Sequence, residues 1–326
     1  MKIFFRVDAN SNIGLGHITR CIALAHMLKF DYEIYFICKE VPEKFSNQLS
    51  NCNFLLHMID NDTLISKFIC ENDIVVLDGY QFSTDYQKFI KNIGSKLICI
   101  DDLYSQEFFA DLIINHAPGV SDLNYNAQVY TQFALGINYA LLRPLFLKQA
   151  TLNRTIKKIE TIIVCFGGSD NMNLTEKFLN ILVKQKMYKK IILVTGELYS
   201  YLNQLKSIIQ KIPQIEHYHN ISEKKMLSLM LQSEVAIVPS SSLVFEALAA
   251  GCRVITGYYV NNQFEIYKGF KKLNAIIGAE NFNEFEVINA LKLVNEFKPA
   301  KVINGESQSN ILQKIQSIVN VHSNIN

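Results

Sequence analysis

Apolar and polar positions alternate between two textures along this chain. Short runs of β-branched and aromatic residues at 2–7, 33–38, 73–77, 96–100 and 111–115 read as strands. Between them, residues 17–30 place Ile18, Cys21, Ile22, Ala25 and Leu28 on one side of a helix, and residues 84–93 form a second helical pattern. A second series begins near residue 159. Its strands are predicted at 161–166, 190–194, 234–239 and 253–256, and its helices at 174–185, 201–211, 224–231, 243–250, 262–273 and 284–293. Strands alternating with helices imply βαβ units and parallel sheets covered on both faces. Residues 147–158, LKQATLNRTIKK, are polar and break both periods, so they read as a linker. The pattern predicts an α/β protein of two Rossmann-like domains, 1–150 and 151–326, with a cleft between them. A last helix near 309–319 is expected to cross back onto the first domain.

Composition changes this picture little. At about 150 residues per domain, 326 residues suggest two domains. A chain of this length buries enough surface to need no disulfide or metal for its core. Hydrophobic residues at 49% and charged residues at 19% argue against disorder. With 32 basic and 30 acidic residues the net charge is +2, which gives no electrostatic case for nucleic acid or an anionic membrane. The seven cysteines are odd in number, scattered through apolar runs and without a CxxC pair. They read as reduced thiols of a cytoplasmic protein. Arg6 and Asp8 interrupt what a signal peptide would keep apolar, and no membrane-length apolar run exists. Neither stable membrane association nor an oligomer is demanded, so a monomer is expected.

Candidate chemistry lies in three loops. After the first strand, residues 9–16 lead to Gly14-Leu15-Gly16-His17 at a helix start. Gly14 and Gly16 let backbone approach a ligand, and free amides at a helix start attract negative charge. A dinucleotide fingerprint would carry a third glycine, which is missing, so NAD is disfavoured. A helix N-terminus disfavours a cation, so a neutral imidazole at His17 suits a general base. Capping the helix or donating to a phosphate is an equally open role. Gly167-Gly168-Ser169-Asp170 opens the second series before a helix near Leu174, a cradle suited to a diphosphate or simply a tight connection. The P-loop pattern is absent. Ser240-Ser241-Ser242 precedes a third helix whose Glu246 could bind a vicinal diol or lie on a solvated face. Asp60-Asn61-Asp62 and Asp101-Asp102 are read as caps and polar loops, His217 and His219 lack a completing ligand set, and His116 is read as structural. No metal and no cofactor is expected.

Taken together, these residues resemble the UDP-2,4-diacetamido-2,4,6-trideoxy-β-L-altropyranose hydrolases of pseudaminic acid biosynthesis. The resemblance is carried by Arg6-Val7-Asp8, by Ile13-Gly14-Leu15-Gly16-His17-Ile18-Thr19-Arg20 and by Leu77-Asp78-Gly79-Tyr80. It continues through Ile100-Asp101-Asp102, residues 111–115 and 136–143, Gly167–Asp170, residues 240–248 and Asn262-Gln263. That family is related to the MurG-type glycosyltransferases and shares their two-domain GT-B architecture. The resemblance implies that water attacks the anomeric carbon of a UDP-sugar, releasing UDP and the free sugar. It implies that His17 activates water and that Asp8, Tyr80 and Asn115 line the sugar pocket. Gly167, Gly168 and Ser169 would hold the diphosphate, with Ser241 and Ser242 near the phosphates. Glu246 would take the ribose, and Gln263 the sugar or the uridine. The alternatives on the same fold are a MurG-like transferase, a UDP-sugar 2-epimerase and a silent UDP-sugar-binding protein.

Overall fold

A computed structural model describes residues 1–10 and 13–320. Residues 11 and 12 of the glycine loop, and residues 321–326 of the expected second domain, lie outside this set. The chain divides into two compact units. One is residues 1–144 together with the segment from Glu306, and the other is residues 145–305.

The first unit is a seven-stranded sheet. Its strands are β1 (Lys2–Val7), β2 (Glu33–Cys38), β3 (Leu55–Met58), β4 (Ile74–Asp78) and β5 (Lys96–Ile100). β6 (Glu107–Phe108) pairs with β8 (Asn126–Ala127) in a small separate ribbon, while β7 (Leu112–Asn115) and β9 (Gln132–Leu135) complete the main sheet. The order is β3-β2-β1-β4-β5-β7-β9, with every pair parallel. Phe4, Val75, Leu77, Leu97 and Ile113 share one buried face. Ile3, Phe5, Ile74, Val76 and Ile98 alternate with them and are fully buried too, as strands covered on both sides require. Helix α1 (Gly16–Leu28) packs on β1 and β4, α2 (Glu43–Asn51) on β3, and α3 (Thr84–Ile93) on β5. Ser83 caps α3 and Gly94 closes it in the left-handed conformation, the usual stop signals.

Helix α4 (Pro144–Ala150) begins where the chain passes to the second unit. It takes up the first residues of the stretch expected to be a linker, because Phe146 and Ala150 are buried. The second unit holds β10 (Thr161–Cys165), α5 (Leu174–Gln185), β11 (Lys190–Thr195), α6 (Leu202–Ile209), β12 (Ile215–His219), α7 (Glu223–Gln232) and β13 (Val235–Pro239). It continues with α8 (Ser242–Ala249), β14 (Arg253–Gly257), α9 (Phe264–Lys272), β15 (Ile277–Gly278) and α10 (Glu284–Leu293). The order is β12-β11-β10-β13-β14-β15, again parallel. Its core sets Ile162, Val164, Leu193 and Ile237 against Phe178 and Leu182 of α5. The chain then returns to the first unit as α11 (Ser307–Asn320), which packs against α1, β7 and β9.

Each sheet reverses direction once. β1 and β4 are neighbours although β2 and β3 lie between them in sequence, and β10 and β13 are related in the same way. At such a switch point the loops beyond the two carboxyl ends diverge, which is where open α/β sheets receive ligands.

Candidate active site

The switch point of the first unit lies between the ends of β1 and β4, where Val7 is register partner to Asp78. The chain leaving β1 turns back at Asn10 and Gly14, which are joined by a backbone hydrogen bond of 2.9 Å. Gly14 sits at φ +87°, a conformation that disfavours any other residue. Gly16 opens α1, and a side chain at either glycine would meet no atom within 4 Å. His17 follows as the second residue of α1 and is 7% exposed.

His17 Nδ1 lies 2.6 Å from Asp78 Oδ1. One turn later on the same helix, Arg20 donates from Nε to Asp78 Oδ2 at 2.6 Å and from Nη2 to Oδ1 at 2.5 Å. Its remaining arm, Nη1, donates to Asp102 Oδ2 at 2.8 Å, beyond the end of β5. The Cys21 thiol also donates to Asp78 Oδ2, at 3.5 Å. Burial pushes the Asp78 carboxyl up, but Arg20 and then His17 outweigh it and hold the group down to about 2. Arg20 Nη2 also lies 3.1 Å from His17 Nδ1. The ionised carboxylate can only accept, so it is Nδ1 that turns a hydrogen towards Asp78. No partner of Nε2 lies among the described residues. Tyr80, 52% exposed, makes a T-shaped contact with the imidazole at 4.9 Å between ring centres.

Sequence alone singles out His17, brings in Arg20 and Asp78 only within the resemblance, and reads Asp102 as a polar-loop residue; the ion pairs of Arg20 with Asp78 and Asp102 are found in the structure. Asp78 ends β4 and Asp102 lies just past the end of the adjacent β5, a signal available once the strand order is known.

Asp8 and Asn115 are nearby in the chain's logic but differently committed. Asp8 is buried in a bidentate pair with Arg6, at 2.7 and 2.8 Å, and also accepts from the Lys39 amide at 2.6 Å and from Gln81. Arg6 is itself fully buried over the Phe82 ring and reaches Asp62 at 2.7 Å. Asn115 is 2% exposed, donates to the Tyr125 hydroxyl at 2.9 Å and accepts from the Ala117 amide at 2.9 Å. Both residues therefore tie loops together at the sheet's carboxyl edge.

In the second unit the matching switch point carries Gly167-Gly168-Ser169 after β10 and Ser240-Ser241-Ser242 after β13. Gly167 has φ +84°, and a Cβ there would touch Leu243 of α8 at 4.0 Å. A Cβ on Gly196, beyond β11, would fall 2.4 Å from the Gly168 backbone. The loops after β10 and β11 are thus packed main chain on main chain. Buried Asp170 accepts from the Leu174 and Thr175 amides at 2.8 Å each, so these donors are already satisfied. Helix α8 is capped more loosely, by Ser241 accepting from the Leu243 amide at 3.4 Å, with Ser242 as its first residue. Glu246 is 3% exposed on α8, not on a solvated face. Gln263, also buried, accepts from the Tyr259 amide at 3.1 Å just before α9.

The remaining acidic and histidine pairs have local partners. Asn61 caps a short 3-10 turn through the Thr63 amide, and Asp62 serves Arg6 and Lys39. Asp101 accepts from the Leu103 and Tyr104 amides. His217 and His219 share the Thr195 hydroxyl. His116 accepts from the Leu141 amide at 3.2 Å. Among the described residues no group of three or more His, Cys, Asp or Glu is arranged to hold a metal ion, and no helix is long and apolar enough to cross a membrane.

Two parallel sheets of this order, each presenting its loops at a switch point, place the chain in the α/β class of paired Rossmann-like units known as GT-B. The solved structures that resemble it include MurG of Acinetobacter baumannii, with TM-score 0.63 and 13% identity over 97% of this chain and 100% of that one. Anabaena HepE in complex with UDP-glucose matches with TM-score 0.62 and 12% identity over 100% of both chains. No protein-family model matches the chain. In sequence it is 28% identical to the UDP-2,4-diacetamido-2,4,6-trideoxy-β-L-altropyranose hydrolase of Campylobacter jejuni, over 81% of this chain and 93% of that one. It is 28% identical to an uncharacterized protein of Methanocaldococcus jannaschii, over 97% of this chain and 70% of that one. It is 25% identical to the spore coat polysaccharide biosynthesis protein SpsG of Bacillus subtilis, over 85% and 83%.

Proposed function

We propose that this chain is a cytoplasmic hydrolase of a UDP-linked diacetamido-trideoxyhexose, releasing UDP and the free sugar for pseudaminic acid biosynthesis. The observation that carries the reading is the His17–Asp78 contact of 2.6 Å at the switch point of the first unit. The resemblance to the Campylobacter hydrolase supports the substrate class. In this reading His17 Nε2 takes a proton from water as the water oxygen bonds to the anomeric carbon. The bond from that carbon to the diphosphate oxygen breaks, and its electron pair leaves with UDP. Tyr80 flanks the sugar beside His17, and the turn at Gly14 and Gly16 brings main chain close to it. Asp8 and Asn115 act one layer back, holding the loops that shape the pocket.

The second unit binds UDP. With the first amides of α5 satisfied by Asp170, the diphosphate rests on the start of α8, Ser241 and Ser242, beside Gly167, Gly168 and Ser169. Glu246 takes the ribose and Gln263 the sugar or uridine. UDP departs readily once amides and a helix N-terminus hold its charge, which leaves a single base to do the proton transfer.

The test is incubation of the purified chain with UDP-linked 2,4-diacetamido sugars in ¹⁸O-water without any acceptor. Hydrolysis places the label on the anomeric carbon of the free sugar. His17→Asn is expected to lower turnover about 10²–10⁴-fold while UDP binding survives. A requirement for an acceptor would favour a MurG-like transferase, label in UDP would indicate attack at phosphorus, and absence of turnover would leave a UDP-sugar-binding protein.

A further inference from the structure

The structure carries His17 on a longer chain of buried charges than a histidine–carboxylate pair requires. Asp78 is fully buried and would be costly to keep ionised without Arg20, whose fork grips both of its oxygens. Arg20, 8% exposed, is in turn held by Asp102 through its free arm. The other oxygen of Asp102, Oδ1, is buried and has no hydrogen-bond partner among the described residues. Across this chain Arg20 supplies one positive charge, and Asp78 and Asp102 supply two negative ones. The array therefore carries one uncompensated negative charge while the His17 imidazole is neutral. Protonation of His17 balances it.

The other groups facing the array do not cancel that charge. On α1 the Cys21 thiol is pushed well up by burial and stays neutral. Beyond β7, burial and then Arg20 push His116 down to about 4, so it is neutral at pH 7. Beyond β5, the carboxyl of Asp101 is spent on two backbone amides. Tyr80 packs at 82° between ring planes against the imidazole and brings no positive charge.

Building on the assignment of His17 as the base, we propose that Arg20 and Asp102 are positioning residues for it. They fix the Asp78 carboxylate so that His17 holds its hydrogen on Nδ1, and they supply the excess negative charge that steadies the imidazolium formed when water is deprotonated. Neither residue touches substrate. Lysine cannot replace Arg20, because a single ammonium cannot grip both Asp78 oxygens and reach Asp102 at once.

The experiment compares wild type with Asp102→Asn and Arg20→Lys. Three quantities are measured: kcat and KM for the UDP-sugar across pH, UDP affinity, and the ¹⁵N resonances of the His17 ring, assigned by their loss in His17→Asn. For Asp102→Asn we expect unchanged UDP affinity, a kcat lowered by about tenfold with KM little changed, and a low-pH limb of kcat/KM moved down by about one unit. Arg20→Lys is expected to lower kcat further and to populate the other ring tautomer. A wild-type ring spectrum, kcat and pH profile in both variants would overturn the proposal, as would a change confined to KM. The ring spectra need no turnover. If wild type hydrolyses nothing, the hydrolase reading fails and the NMR still decides the positioning role. If Asp102→Asn does not fold, Arg20→Lys carries the test.

Discussion

His116 and His17 both lie within electrostatic reach of Arg20, yet the two rings meet different surroundings. His17 has a carboxylate at Nδ1. His116 is 6% exposed, receives a backbone amide and feels the Arg20 charge, so burial and then Arg20 push it from its ordinary 6.5 down to about 4. The sign of the pH dependence follows. Above about pH 6.5 neither the folded nor the unfolded chain protonates this ring, and it costs nothing. As pH falls from 6.5 towards 4, the unfolded chain takes up a proton that the folded one refuses, so stability declines, by up to about 3 kcal/mol for a shift of this size. His26 and His217 are displaced in the same direction, chiefly by burial. Urea unfolding between pH 7.5 and 4.5 should therefore show stability falling on acidification. His116→Asn, which keeps an acceptor for the Leu141 amide, should shrink that fall by about one proton's worth. An identical pH slope in the variant would show that His116 titrates as freely in the folded chain as in the unfolded one.

At the level of elements, the meeting of the β10 and β11 loops makes the sharpest demand on sequence. Gly196→Ala would set a Cβ 2.4 Å from the Gly168 backbone, and main chain cannot swing aside as a flexible side chain can. The turn at Gly167-Gly168 must move. A loss of about 1–3 kcal/mol in stability is expected, together with UDP binding weakened at least tenfold in calorimetric titration. Retention of full UDP affinity would separate that turn from the diphosphate. The same loops show where sequence reasoning runs out. The strands buried on both faces announce themselves as apolar runs, and the patterns over residues 2–7, 33–38 and 96–100 coincide with β1, β2 and β5. The strands β3, β9 and β12, half-exposed at the sheet edges, mix polar and apolar residues and give no such run. His17 was legible because glycine and histidine at a helix start form a local pattern. Asp78 was not, since its role arises from the pairing of β1 with β4, residues far apart in the chain. The capping role of Asp170 was illegible for a related reason. The residue caps α5 from four and five residues away, across a turn in which Asp170 and Asn173 both take positive φ.

For the molecule as a whole, the path of the chain makes the two units unequal. The second is continuous from residue 145 to 305, whereas the first is completed only by the segment from Glu306. Within that segment α11 buries Ile311, Ile315 and Ile318, each at most 3% exposed, against α1 and the β7–β9 edge of the sheet. Burying a side chain of this kind contributes about 1.5–3 kcal/mol, so three of them approach the whole stability of an ordinary domain, roughly 5–15 kcal/mol. Helix α1 lies beneath α11 and carries His17, Arg20 and Cys21. Truncation after Gly305 should therefore unfold the first unit selectively. Hydrogen exchange would show protection lost from β1, β7, β9 and α1 but kept in β10, β11 and β13. Hydrolysis should vanish while UDP still binds, because every residue assigned to the nucleotide lies between 145 and 305. Loss of UDP affinity in that truncated chain, with the second sheet still protected, would mean that the nucleotide depends on the first unit and would overturn this division of labour.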